Sequence, residues 1–234
     1  MSSSQADDKH SGTWARKKKK ELAYIFCSPD LIPPTEHPVT IFMAGTPGAG
    51  KTEFSKSLLE LFNTSAVRID ADDIRDMMKE IGYNGANSEK YQYGVGLAVN
   101  NLYRKAIKQS QSVLIDGTFA YRGWRENIEM SLNVNRLVEI YYLYQDPKIA
   151  WDFVKKRELS QGRAVPIEVF VKDYTDCIEN VCKAKELFQD DIVLYYAKNN
   201  YQKKLEYVKI NVGDIRQHIP NVYTSNELKE LIDA

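Results

Sequence analysis

The chain has 234 residues, 43% of them hydrophobic and 11% aromatic, enough to bury the core of one globular domain with small appendages. Acidic and basic residues balance at 32 each, so no overall field draws the chain to nucleic acid or to an anionic membrane. The three cysteines, Cys27, Cys177 and Cys182, show neither metal nor disulfide spacing, and no apolar run reaches the length of a membrane span, which together fit a reducing cytoplasm.

Residues 1–20 are polar and end in Arg16-Lys17-Lys18-Lys19-Lys20, with no apolar segment after the basic run as a secretory signal has. They read as a flexible basic tail leading into a helix, its charges solvated rather than bound to RNA, and residues 21–234 as a single domain. Val39–Ala44 is an apolar, β-branched run of strand length. It leads into Gly45-Thr46-Pro47-Gly48-Ala49-Gly50-Lys51-Thr52, which meets every fixed position of the phosphate-binding loop, and Phe54, Leu58, Leu59 and Phe62 then recur at helical spacing. Strand, loop and helix in this order predict a site for ATP or GTP. Backbone N–H groups of the loop and the positive end of the helix would face the phosphates. Lys51 would reach the β and γ phosphates, and Thr52 would bind magnesium.

Further along, residues 66–69 ending in Asp70, residues 113–115 ending in Asp116, and residues 137–144 read as strands. Helical patterns cover residues 88–109, 122–134, 148–159 and 167–187, strands are expected near 191–196 and 207–212, and a short helix from Ser225. This alternation predicts an α/β chain: a three-layer, P-loop kinase-like fold with a mostly parallel sheet and helices on both faces. Ligands in such sheets collect at the carboxyl ends of the strands, where Gly45, Asp70, Asp72, Asp116 and Thr118 fall.

Three groups of residues carry candidate chemistry. In Ile69-Asp70-Ala71-Asp72-Asp73, a strand stops at three carboxylates. A kinase acting on a hydroxyl needs one carboxylate to take its proton, and Asp72 is the candidate base; Asp70 then anchors the loop and Asp73 caps the next helix. In Asp116-Gly117-Thr118, Asp116 is placed on magnesium through water and Thr118 on the substrate, against the alternative of an ordinary Asp-Gly turn. Arg157 and Arg163, six residues apart near a Gly- and Pro-marked loop, supply positive charge for a transferring phosphoryl or else are surface charge.

Gly45 to Thr52, Ile69-Asp70-Ala71-Asp72, Ile115-Asp116-Gly117-Thr118, Arg157 and Arg163-Ala164-Val165-Pro166 together resemble the zeta toxin family of P-loop kinases, over about residues 39–166. The resemblance implies transfer of phosphate from ATP or GTP to a sugar hydroxyl of UDP-N-acetylglucosamine, and a small helical antitoxin as partner. It further implies that Lys51 binds phosphates, that Asp72 is the base, and that Arg157 and Arg163 contact the transferring group. Where the family offers a glutamate to the substrate, on the helix before the third strand, an ungapped count reaches Asn100, which takes that substrate-binding position. Where the family has an arginine two residues after Gly-Thr, this chain has Ala120, with Arg122 displaced by two. The loop between the two arginines is also short. A changed acceptor accommodates all three departures.

The function expected from these readings is an Mg2+-dependent kinase for a UDP-sugar, the toxin of a toxin and antitoxin pair. Two alternatives stand beside it. One is a P-loop kinase for another hydroxyl, such as a nucleic-acid 5′ end or an antibiotic, of which the neutral charge disfavours the nucleic acid. The other is a regulatory ATPase that displays a nucleotide-dependent surface.

Overall fold

The computed structural model describes residues 3–61, 65–162, 164–200, 202 and 204–233. In chain order the elements are α1 (Ser3–Lys17), α2 (Lys19–Cys27), β1 (Val39–Ala44), α3 (Lys51–Leu61), β2 (Val67–Asp70), α4 (Ala71–Met77) and α5 (Gln92–Lys108). They continue with β3 (Val113–Asp116), α6 (Trp124–Leu132), β4 (Leu137–Tyr144), α7 (Pro147–Gln161), α8 (Ile167–Phe188), β5 (Ile192–Asn199), β6 (Leu205–Lys209) and α9 (Ser225–Asp233). One sheet runs in the order β2-β3-β1-β4-β5-β6. Neighbours from β2 to β5 are parallel, and β6 closes the edge antiparallel to β5.

Alternation along the strands splits the core in two. Phe42 and Ala44 of β1, Val113 and Ile115 of β3, and Ile140 and Tyr142 of β4 join a large cluster with Ile74, Leu102, Ile128, Val154, Phe170 and Leu228 from the helices. On the opposite face Ile41, Met43, Leu114 and Tyr141 pack with Phe54, Leu58 and Leu59 of α3. Both faces carry helices, unequally. Because α3 directly follows the glycine-rich loop, the thin side of the sheet is built around the residues that shape that loop.

The amino-terminal segment departs from the expected tail. Residues 3–17 form α1, in which Ser11, Trp14 and Ala15 are buried, and the basic residues straddle the junction with α2, where Lys18 pairs with Glu21 and Glu80. This polar sequence has little intrinsic reason to be helical; packing supplies it. α1 crosses α5 so closely that a Cβ on Gly94 would lie 2.5 Å from the Ser11 carbonyl group, and the Ser11 hydroxyl accepts the Gly94 N–H at 3.3 Å. Trp14 Nε1 donates to Glu80. Small residues that depress helix propensity are here what admits the neighbouring backbone.

At the other end of the sheet from the glycine-rich loop, Arg136 enters beside β1, only 4% exposed. It donates to Thr40 Oγ1 (2.9 Å), the Val39 carbonyl (3.1 Å) and the Gln111 carbonyl (2.5 Å), and burial pushes its pKa down to about 10. Among the described residues no carboxylate pairs with it. Arg136→Met removes the donors from these buried acceptors and is expected to lower stability by about 2–4 kcal/mol. Urea unfolding would show this as a lower midpoint at unchanged slope; a loss under about 1 kcal/mol would contradict it.

Candidate active site

The glycine-rich loop is fixed from several directions. Gly48 has φ +79° and faces the α7 backbone, where a Cβ would come within 2.1 Å of the Ala150 carbonyl oxygen, so both conformation and space demand glycine. The Gly45 N–H points at the Thr118 carbonyl (3.3 Å) and at Cys177 Sγ (3.0 Å), and the Ala49 carbonyl accepts Asn199 Nδ2 at 2.9 Å. Lys51 is folded back on the loop, its Nζ donating to the Gly45 and Thr46 carbonyls at 2.8 and 2.6 Å. Burial lowers the Lys51 pKa, opposed by the fields of Cys177, Asp116 and Asp173. Phosphate oxygens arriving at this loop would compete with those carbonyls for the ammonium.

Beside it, β2 and β3 end in register, with Asp70 opposite Asp116. Two carboxylates at adjacent strand ends repel, and Arg68, two residues before Asp70 on the same face, neutralises them. Its Nη2 lies 2.6 Å from both Asp70 Oδ2 and Asp116 Oδ2, and its Nη1 3.0 Å from Asp73 Oδ2. Ser55 of α3 also donates to Asp116, at 2.8 Å. The helix cap belongs to Asp70, not to Asp73 as expected. Asp70 Oδ1 accepts the Asp72 N–H at 2.8 Å, and α4 starts at Ala71, three residues ahead of the first apolar signal at Ile74. Asp73 instead belongs to the Arg68 fan.

Capping at Asp70 places Asp72 in the first turn of α4, a third exposed. Arg75 Nη1 donates to Asp72 Oδ1 at 2.7 Å and Arg75 Nη2 to Gln92 Oε1 at 2.7 Å. Arg157 of α7 brings Nη2 to 3.6 Å from Asp72 Oδ2. Asp72 and Arg157, far apart in sequence, are thus neighbours. Arg163 lies outside the described residues. Thr118 borders the loop through its carbonyl, and its Oγ1 accepts the Ala120 N–H at 3.4 Å. Asn100 is exposed on α5, eight residues beyond Gln92 and so about 12 Å farther along the helix axis.

Sequence reasoning missed three contributors. Arg68 sits inside a strand pattern and Asn199 three residues past the end of one, where nothing marks them as polar anchors. Asp173 lies on α8 among ordinary charged residues, yet burial raises its carboxyl pKa to about 6 against the fields of Lys51, Lys172 and Arg75. The oxygens of Thr52 and Asp116 are hard ligands of the kind from which Mg2+ takes one or two, completing its shell with water and phosphate; Asp116 Oδ2 is engaged by Arg68 and Ser55, leaving Oδ1 for such a role. The donor set fits the ion.

Sheet order, loop and flanking helices define a P-loop kinase-like fold. The zeta toxin family profile matches residues 25–207, and the chain belongs to that family. No curated protein matches it. Among solved structures, it is similar to one from the PezAT chromosomal toxin–antitoxin system of Streptococcus pneumoniae, with TM-score 0.67, 15% identity, 94% of this chain and 93% of that one covered. It is also similar to the AvrRxo1-ORF1:AvrRxo1-ORF2 complex with ATP, with TM-score 0.60, 13% identity, and 99% and 71% covered. A third likeness is to the Pnkp1/Rnl/Hen1 RNA repair complex, with TM-score 0.51, 20% identity, and 64% and 47% covered. These likenesses extend the fold well beyond the residues that carry the sequence motifs. Among the described residues no helix is long and apolar enough to cross a membrane.

If Arg68 holds the strand-end acids together, Arg68→Met removes the cation that Asp70 and Asp116 share and lowers stability by about 2–4 kcal/mol. Adding Asp116→Asn to that variant should recover part of the loss, because one buried charge is removed. Chemical denaturation of the single and double variants measures both effects, and strictly additive losses would refute the pairing.

Proposed function

We propose that this protein is an ATP- or GTP-dependent phosphotransferase that phosphorylates a hydroxyl of a nucleotide sugar, in the first instance UDP-N-acetylglucosamine, as the toxin of a toxin–antitoxin pair with a small helical antitoxin as its partner. The observation that carries the reading is Asp72 held between Arg75 and Arg157 at the strand edge that also bears the loop of Lys51. A regulatory ATPase needs an ordered water there; an acceptor carboxylate flanked by arginines serves transfer to a hydroxyl.

In this mechanism the loop N–H groups and Lys51 bind the nucleotide phosphates. Thr52 and Asp116 would hold Mg2+, whose charge offsets that of the phosphates. Asp72 accepts the proton of the attacking hydroxyl, and Lys51, Arg157 and Arg163 stabilise charge on the transferred group. Thr118 stands at the acceptor side of the loop, and Asn100 serves the more distant part of the substrate. Family membership supports the donor, the base and the antitoxin; the acceptor is chosen for its hydroxyl chemistry and for the same kinship.

Incubation of UDP-sugars with ATP and Mg2+ should add one phosphate to at least one of them by mass spectrometry. Lys51→Ala should abolish transfer. Asp72→Asn should lower kcat by about 10²- to 10⁴-fold with ATP affinity within a few fold, and Arg157→Ala by roughly 10³-fold. Retained transfer in the Asp72 variant would remove it as the base.

A further inference from the structure

α8 runs past the loop with one stripe of side chains, Asp173, Cys177 and Asn180, spaced i, i+4 and i+7. Two of the three are anchored. Cys177 Sγ lies 3.0 Å from the Gly45 N, and Asn180 Nδ2 donates to the Phe119 carbonyl at 2.9 Å. The stripe is therefore pressed against the glycine-rich loop and the turn after β3, and Asp173 continues it one turn nearer the amino end of α8.

Asp173 is half-buried, and among the described residues no hydrogen bond and no ion pair reaches it. The charges bearing on it are Lys51 from α3, Arg75 from α4, and Lys172 and Asp176 from α8, of which the last two pair with each other. Lys51 is spent on loop carbonyls and Arg75 on Asp72 and Gln92. Arg75 Nε is itself buried without a partner, so the polar inventory around this guanidinium is not closed. A carboxylate partly withdrawn from water with no donor is unfavourable, and a ligand that supplies a donor relieves it. Phosphate oxygens supply none and are repelled. A hydroxyl supplies one.

We propose that Asp173 is an acceptor-binding residue whose carboxylate receives a second hydroxyl of the acceptor, while Asp72 takes the hydroxyl that is phosphorylated. The inference rests on the kinase reading above and deepens it: with Asp72 bonded to Arg75 and Asp173 within the field of the same guanidinium, the site selects acceptors bearing at least two hydroxyls, as a sugar does.

The test uses the full chain with ATP and Mg2+ on a panel of UDP-sugars, free aminosugars, nucleosides and aminocyclitols, scored for phosphate gain, followed by steady-state kinetics on the compound that gains it. Asp173→Asn should raise the KM for that acceptor about tenfold and leave the KM for ATP within about twofold. A deoxy acceptor lacking the second hydroxyl should be penalised by wild type and not further by the variant. The acceptor KM of wild type should climb below about pH 6, where Asp173 takes up its proton, and that of Asp173→Asn should stay flat. The variant should unfold at no lower urea concentration, since it loses no partner. An unchanged acceptor KM, or a rise confined to the KM for ATP, overturns the assignment and leaves the kinase reading intact. Transfer to a compound other than a UDP-sugar replaces the sugar nucleotide and puts Asp173 to the same test on that compound. Transfer by wild type to nothing in the panel overturns both.

Discussion

The Arg68 guanidinium, 2.6 Å from Asp70 and from Asp116, is the contact on which the rest of the site depends. Parallel strands in register bring their last residues side by side, and here both are carboxylates. Without a cation the two strand ends would splay or take up protons. With it, Asp70 is free to orient its other oxygen toward the start of α4, and Asp116 to hold Ser55 of α3. One side chain thereby sets the position of Asp72 on one side and of the helix that begins at Lys51 on the other.

Positive charge is distributed unevenly around Asp72 and Asp173, both partly buried. Asp72 has Arg75 and Arg157 at contact or near-contact distance, whereas Asp173 has only fields around it, and burial raises its carboxyl pKa to about 6. Carboxylates with such different surroundings suit different tasks. The same logic separates Lys51, pressed on carbonyls that phosphate can replace, from Arg136, committed to three acceptors at the opposite end of the strands.

What was legible in the sequence was local. The glycine-rich loop, the five strands of the parallel sheet and the helices after β1, β3 and β4 are written in contiguous patterns of apolar period and turn residues, and these elements lie close to where those patterns place them. α1 was not legible because its order comes from Gly94 and Glu80, far along the chain. Asp73 was taken for the cap because apolar periodicity starts at Ile74, while the helix itself starts where Asp70 can accept an N–H. Arg68, Asn199 and Asp173 act across elements, and a side chain's partner across a sheet edge leaves no mark on its neighbours in sequence. Arg157 was a candidate for its charge beside a loop marked by Gly and Pro, and kinship strengthened it; its helix offers no periodic reason for its aim at Asp72.

The loop that carries Lys51 is synthesised early and clamped late. Its bond to Cys177 spans 132 residues and its bond to Asn199 spans 150, so both clamps are missing while most of the chain is still being made. At about 5–20 residues per second, the interval between loop and last clamp is on the order of ten seconds. During that time the glycine-rich segment has neither α8 to hold the Gly45 N–H nor β5 to hold the Ala49 carbonyl, and the nascent chain lacks the finished loop. The amino-terminal motif thus takes two of its clamps from the carboxyl-terminal third, and a chain arrested before β5 is left without the Asn199 clamp.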